Sequence, residues 1–404
     1  MAAQHDGGAG ATFGSVFAVG EFRALWVGQV LSIVGDQLAR VALTLLVYDR
    51  TGSALLAAVA FAASVVPIFI GGIFLAGLAD RFPRRRVMIA CDLSRLLLVL
   101  AMTVPRLPDA VLISLLFGVT LFGPPFTSAR TAVYADVLTG EGYVLGTAIT
   151  LTTYQLAQVA GFAVGGGLVA LVGFRTALLA DAATFACSAL IIRIWVQNWP
   201  AGRGTGADST THRGDIAQGV RLVFRMQGLR TPMLFGWLAA FYNVPDGLAA
   251  PLARSLGGGT SATGFILAAT ALGAALGGVA FTRLAAPDVR LRWTGPLAVA
   301  CCAVLVLFAF GPSLPLALVV LFASGLFDCF QIAASAAFVR TAPPQHRSQV
   351  FGIAQAGMSL GQGAAMVLAG AAAQSRAPAT VIAASGVLGA LVAMAVSVSR
   401  AGRN

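Results

Sequence analysis

The sequence predicts an all-α membrane protein, and three observations lead there. The chain has 404 residues, of which 58% are hydrophobic and only 10% charged, against roughly 25% charged in soluble domains. Its mean hydropathy is +0.86. The apolar residues gather in long runs, and a run of about 20 crosses a bilayer as a helix. A soluble globular chain is excluded on these grounds.

Twelve runs meet that length, and they are numbered here as spans 1 to 12: 24–48, 54–78, 87–104, 110–129, 144–172, 176–196, 233–253, 262–281, 293–310, 315–338, 350–373 and 379–398. No basic segment or small-residue cleavage site precedes Arg23, so span 1 reads as a retained span rather than a signal peptide. The stretch 197–214 is polar and rich in Gly, Ser and Thr, the composition of a flexible linker. After it Ile216, Val220 and Val223 recur at helical spacing, with Arg221 and Arg225 off that face; this predicts an amphipathic surface helix. The chain thus divides into a tail (1–23), six spans (24–196), a linker with the surface helix (197–232), six more spans (233–398) and a short tail (399–404).

The net charge of +11 would suit nucleic acid, but its placement argues for topology instead. With the N-terminus inside, nineteen arginines fall on the inner side, among them Arg23, Arg81, Arg84, Arg85, Arg86, Arg130 and Arg193. Five (Arg50, Arg106, Arg175, Arg254 and Arg376) fall outside. That asymmetry is the positive-inside rule, and it places both termini in the cytoplasm and the chain in the plasma membrane. No nucleic-acid partner is expected; the partner is the lipid bilayer.

All 26 basic residues are arginine. Without lysine there is no Walker A loop and no lysine Schiff base, so the chain does not hydrolyse ATP by that route. The five cysteines lie within spans with neither metal spacing nor a disulfide framework. His5, His212 and His346 lie outside the spans, so a proton relay inside the membrane has only carboxylates to use. No metal, cofactor or enzyme active site is expected, since no catalytic constellation stands out.

The two sets of six spans read as weak repeats. Asp36 in span 1 and Asp246 in span 7 sit 210 residues apart, and Val144-Leu-Gly146 opening span 5 is echoed by Val350-Phe-Gly352 opening span 11. Small residues four apart recur as Gly72/Ala76, Gly161/Gly165, Gly273/Gly277 and Gly357/Gly361, a spacing that lets helix backbones approach. Between spans 2 and 3 runs Ala76-Gly-Leu-Ala-Asp80-Arg81-Phe-Pro-Arg84-Arg85-Arg86, a charge cluster that must leave the membrane.

This loop, the helix 1 stretch from Phe22 to Gln37, Ser128-Ala-Arg130-Thr-Ala-Val-Tyr-Ala-Asp136, and Val350-Phe-Gly352 with Gly361-Gln362-Gly363 resemble the major facilitator superfamily (MFS). The likeness covers essentially the whole chain and is strongest to the twelve-helix drug:proton antiporter branch, which includes macrolide and siderophore exporters. It implies the MFS fold of two pseudo-symmetric six-helix halves around a midplane site. It also implies that Asp80, with Arg81, Arg84 and Arg85, forms a cytoplasmic gate motif in which Asp80 meets the start of span 11. There a helix N-terminus attracts a carboxylate, and the neighbouring arginines add pairs that break as the halves rock. The loop departs from the family pattern at Ala76 and Pro83. The helix 5 motif survives as Gly161, Gly165 and Gly166, with Phe162 in place of proline. The family's helix 4 arginine has no counterpart between positions 110 and 129.

Aspartates inside spans are the other strong signal, since each costs roughly 2.5–3.5 kcal/mol at a helix centre. Asp36, Asp181, Asp246 and Asp328 must therefore face water, a partner or one another. Gln29, Ser32, Asp36 and Arg40 form one stripe of span 1; Ser324, Asp328, Gln331 and Ser335 form a similar stripe of span 10. Tyr242, Asn243 and Asp246 flank a kink at Pro245 in span 7, and span 11 offers Gln355, Ser359 and Gln362. In the family, helices 1, 4, 7 and 10 line the cavity. Asp36, Arg40, Asp246 and Asp328 are thus the candidates for proton or substrate coupling, with Gln29, Ser32, Tyr242, Asn243, Ser324, Gln331, Gln355 and Gln362 as cavity polar groups. Asp36 and Arg40 also fit an intrahelical ion pair, whereas Asp92 and Arg95 read as a structural pair. Of the aromatics, Phe122, Phe126, Tyr154, Trp237 and Phe241 fit an apolar pocket or ordinary packing. The resulting expectation is a monomeric secondary transporter exporting amphipathic small molecules in exchange for protons. Proton-coupled uptake of a nutrient and a non-transporting membrane sensor are the alternatives.

Overall fold

The computed structural model describes residues 12–75, 77–199, 221, 224–343 and 347–401. Among these residues the chain is helical with no strand, and each of the twelve predicted runs is occupied by helix. Eight helical stretches are at least 18 residues long and apolar enough to cross a membrane. One of the eight, Glu141–Trp195, is spans 5 and 6 in series. Span 3 (Arg84–Met102) carries Asp92 and Arg95 in its middle, and span 7 is broken into four segments. Two short helices, Phe13–Ala18 and Leu78–Arg81, precede span 1 and fill part of the loop between spans 2 and 3. The predicted surface helix around Ile216, Val220 and Val223 lies outside the described residues.

Local chemistry sets the breaks. Span 1 runs Gly20–Thr51 and ends on Gly52, whose φ of 63° is the left-handed conformation that glycine adopts without strain. Span 2 then starts on Ser53, whose hydroxyl accepts from the Leu56 N–H. Gly173, at φ 79°, turns span 5 into span 6. Proline makes the interior kinks, because it offers no N–H to the helical ladder. Pro67 opens the second segment of span 2, Pro124 and Pro125 that of span 4, and Pro245 the third segment of span 7. Span 10 breaks between Leu314–Phe327 and Phe330–Thr341. Span 4 continues past its predicted end at 129 to Val137, so Arg130 is a helix residue and not a loop residue.

In lipid there is no hydrophobic drive between helices, so close backbone contact carries the association. Three of the four small-residue pairs supply it. A Cβ at Gly161 would stand 2.8 Å from Gln37 Cβ on span 1. One at Gly273 or Gly277 would strike the Phe322 or Leu326 carbonyl of span 10, and one at Gly357 would strike the Trp237 indole. Gly72 faces open space, so the pair it heads does not act as a packing motif at that end.

Contacts fix which ends lie together. Glu21, at the start of span 1, accepts from the Gln197 N–H at 2.6 Å and Trp199 Nε1 at 3.1 Å, beyond the end of span 6. Gly295 near the start of span 9 packs on Ser397 near the end of span 12. The opposite end is where spans 1–6 meet spans 7–12. There Arg254 pairs with Asp49, Gln374 Nε2 donates to Ser53 Oγ at 3.1 Å, and Gly166 abuts Gly264. The apolar cores repeat this division. One cluster joins Val41, Phe61 and Phe162 of the first six spans to Leu252, Ile266 and Met366 of the last six. Toward the termini the core is split: Phe22, Met88, Phe126 and Ile192 form one cluster, and Leu229, Met233, Phe338 and Val350 another. The molecule is sealed at one end and divided at the other.

Candidate functional site

Between the two sets of spans, two cavity lobes extend from mid-depth toward the divided end. The larger, about 640 Å³, is lined by Gln29, Ser32, Asp36 and Arg40 of span 1, Arg95 of span 3, Phe126 and Arg130 of span 4 and Tyr154 of span 5. The smaller, about 330 Å³, is lined by Trp237, Tyr242 and Asn243 of span 7 and by Asp328, Gln331 and Ser335 of span 10. Gln362 also lines the smaller lobe, and Phe351 and Gln355 of span 11 line both. The lobes adjoin across these two side chains.

In the larger lobe, Asp36 and Arg40 are half-buried. Among the described residues they do not form an ion pair with each other; the pairs found are Arg50–Asp109, Arg84–Asp136, Arg95–Asp92 and Arg254–Asp49. Asp36 instead feels both Arg95 and Arg40 electrostatically. Arg40 lies over the Phe61 ring at 5.6 Å, a cation–π contact. The intrahelical pair that the spacing also fits is not formed among the described residues, and both side chains lie on the cavity wall. Gln29 is buried and donates to the Thr150 carbonyl at 3.5 Å, with its own carbonyl unpartnered. Ser32 accepts from Arg95 at 3.3 Å.

Arg95 and Asp92 are the best-held charges. Their ion pair is 2.6 Å long with side chains 4% and 0% exposed, and the guanidinium is sandwiched between Phe126 at 4.7 Å and Phe185 at 4.6 Å. Arg95 nonetheless reaches the cavity wall, which its reading as a purely structural partner did not anticipate. Arg130 is the second residue missed. It was counted with the inner-side arginines because it follows the last apolar residue of span 4, yet the continuing helix turns it toward the cavity beside Phe126 at 5.9 Å. Span 4 thus brings an arginine to the cavity wall just past the stretch 110–129.

In the smaller lobe, the Tyr242 hydroxyl accepts from Gln331 Nε2 at 2.8 Å, and the same amide donates to the Gly236 carbonyl at 3.2 Å. Asp328 lies beside Tyr242 with one carboxylate oxygen buried and unpartnered. Ser324 is not on this wall. It is buried and donates to the Cys301 carbonyl of span 9 at 2.9 Å. The helix break after Phe327 rotates the upstream part of the stripe away from Gln331 and Ser335. Asp246 is half-buried outside both walls, within electrostatic reach of Arg40 and Asp328.

At the divided end, the side chain of Asp80 lies outside the described residues, and its expected contact with span 11 with it. Arg81 is exposed. Arg84 pairs with Asp136 and donates to the Ala132 carbonyl at 3.0 Å, while Arg85 donates to the Arg193 carbonyl. In the conformation described these bonds stay within spans 1–6. The helix 5 glycines act as spacers: Gly161 and Gly165 lie against span 1, and Gly166 against Gly264 of span 8. Of the cysteines, Cys187 is exposed and the other four are buried, all as free thiols.

Comparison with known proteins places this geometry. The model of the Major Facilitator Superfamily matches residues 25–310 and 246–403. The multidrug efflux pump Tap of Mycolicibacterium fortuitum is 26% identical over 344 residues, covering 82% of this chain and 83% of that protein. The Tap protein of Mycobacterium tuberculosis is 28% identical over 218 residues, half of each chain. Among solved structures, a POT family transporter in complex with a thioalcohol-conjugated peptide superposes with a TM-score of 0.75 at 10% identity, covering 93% of this chain and 95% of the other. A bacterial homologue of the human lysosomal transporter Spinster, in an inward-facing and occupied conformation, gives 0.68 at 16% identity, covering 93% and 96%.

Proposed function

The chain belongs to the major facilitator superfamily, and from that premise we propose that it is a proton-coupled exporter of amphipathic small molecules. Membership makes it a multi-pass membrane transporter. Efflux is the direction that its similarity to the multidrug pumps named Tap supports. The observation that carries the mechanism is the two-lobed cavity, with Asp36 and Arg40 on one wall and Asp328 on the facing one. Charges in a bilayer interior face the bundle or a water-filled cavity and mark ion and substrate pathways where, as with Asp36 and Asp328, they are not held in ion pairs.

In this reading spans 1–6 and 7–12 are two rocking halves joined by a cytoplasmic linker, and the arginine asymmetry puts the divided end in the cytoplasm. The conformation described is then inward-open. A substrate enters between the halves from the cytoplasm or inner leaflet, its apolar body meeting Phe126, Trp237 and Phe351. The outer contacts around Arg254–Asp49 and Gly166–Gly264 part as the inner clusters close together, and the substrate leaves outward. A proton entering from outside binds Asp36 and is released inward. Moving one charge through 100 mV supplies about 2.3 kcal/mol, enough for a roughly fifty-fold substrate gradient. The monomer suffices, because both lobes belong to one chain.

The test is ethidium uptake into everted membrane vesicles energised by a proton gradient. The native protein accumulates the dye and collapse of the gradient releases it. Asp36→Asn, expressed at native level, loses accumulation; retained gradient-driven accumulation in that variant removes Asp36 from the coupling role.

A further inference from the structure

Behind Asp36 lies a carboxylate to which the transport reading gives no task. Asp181 of span 6 is fully buried. Its side chain points at span 1 where that helix has no side chain of its own: a Cβ on Gly35 would strike Asp181 Oδ1 and come within 2.5 Å of Thr184 Oγ1. The Thr184 hydroxyl bonds the Asp181 carbonyl at 2.7 Å and reaches Oδ1 only at 3.5 Å. Oδ2 has no hydrogen-bond partner. Among the described residues no cation is in ion-pair contact with it, and Arg95, the guanidinium that faces this region from span 3, is committed to Asp92.

An ionised carboxylate buried in that way costs several kcal/mol of desolvation, and only the long Thr184 contact and Arg95, without an ion-pair contact, offset it. The neighbourhood supplies one solution. Asp181 interacts electrostatically with Asp36, the next residue along from Gly35, and with Arg95. Asp36 in turn faces Arg95 and Arg40 and opens to the cavity, and Asp92 also feels Asp36. Within the bundle five aspartates (Asp36, Asp92, Asp181, Asp246 and Asp328) accompany three arginines (Arg40, Arg95 and Arg130). The surplus of two negative charges is one that bound protons remove.

We propose that Asp36 and Asp181 act as one proton-holding pair, with Asp36 exchanging the proton with the cavity and Asp181 holding it away from water. The step moves a proton between two carboxylates: the acid form of one becomes the carboxylate and the carboxylate of the other becomes the acid, with no change in total charge. Thr184 orients the buried member, and Gly35 leaves room for the approach. Asp181 has no opening to the cavity lobes and exchanges its proton only through Asp36. The proposal rests on the coupling role given to Asp36 above.

The experiment combines infrared pH titration of the purified protein in nanodiscs with ethidium transport in proteoliposomes. In the native protein the carboxylic-acid carbonyl bands of an interacting pair titrate in two linked steps. Asp36→Asn and Asp181→Asn each reduce the pair's contribution to a single step, and the double variant removes it, leaving only the bands of the other carboxylates. In transport, Asp181→Asn retains downhill ethidium exchange but loses gradient-driven accumulation by up to about fifty-fold, while Asp181→Glu, which can still carry the proton, restores it. Asp181→Ser is the second protonless variant should the Asn form not assemble. If Asp181→Asn or Asp181→Ser keeps native accumulation and both titration steps, Asp181 is a hydrogen-bonded helix contact and the pair is refuted, although Asp36 still couples. If Asp36→Asn accumulates ethidium normally, the underlying reading of Asp36 fails instead.

Discussion

The two cavity lobes are built on opposite electrostatic plans. The larger lobe is a network: Arg95 is clamped by Asp92 and two phenyl rings, and Asp36, Asp181, Arg40 and Arg130 are arranged around it. The smaller lobe carries one carboxylate on its wall among the described residues, Asp328, beside Tyr242 and Gln331, with Asp246 within electrostatic reach and no arginine on the wall. A network can pass a charge among its members at little cost, because each state leaves neighbours to compensate. A carboxylate with no cation beside it is more readily neutralised by what enters the cavity. Under the proposed mechanism, proton handling would fall to the first lobe and contact with a cationic substrate to the second.

The strongest way to break this contrast is to remove the network's anchor. Arg95→Ala leaves Asp92 buried and unpaired, which costs about 3–5 kcal/mol. The expected outcome is loss of folded protein in thermal unfolding monitored by size-exclusion chromatography, with recovery in the Asp92→Asn/Arg95→Gln double variant. If both lobes were equally tolerant, Arg95→Ala and Asp328→Asn would destabilise alike.

Asp36→Asn comes next in effect. It should cut the steady-state ethidium gradient by up to about fifty-fold with little change in melting temperature, since among the described residues Asp36 forms no ion pair. Asp328→Asn should instead raise the concentration of ethidium needed for half-maximal transport by roughly ten-fold, about 1.4 kcal/mol, and leave the proton dependence of the rate in place. A change in proton dependence equal to that of Asp36→Asn would merge the two lobes into one coupling site. The smallest effect belongs to the sealed end. Arg254 and Asp49 are 59% and 41% exposed, so Arg254→Ala should cost about 1 kcal/mol or less. Spin labels across the outer ends of spans 2 and 11 should then report a modest gain in outward-open population.

Much of this was legible before folding. Helical spacing put Gln29, Ser32, Asp36 and Arg40 on one stripe and Asp328 and Gln331 on another, the family resemblance turned those stripes to a cavity, and these residues with Gln355 and Gln362 are found on the lobe walls. Ser324 failed because spacing assumes an unbroken helix, and span 10 is broken between it and Gln331. Arg130 was missed because an arginine just past an apolar run looks the same whether the helix stops or continues. Gly161 and Gly277 could be recognised as spacers by type, but which helix each admits was decided by packing.

By itself the sequence determined that the chain is a helical membrane protein, where its spans fall and which polar residues could not face lipid, because those properties follow from local transfer energies and the period of a helix. Only the tertiary structure decided that Asp181 lies behind Gly35 beside Asp36, that Arg95 is shared between Asp92 and the cavity, and that the two sets of spans are joined at one end and parted at the other. These depend on how distant helices rotate and approach, a matter of backbone kinks and glycine contacts that no single span encodes.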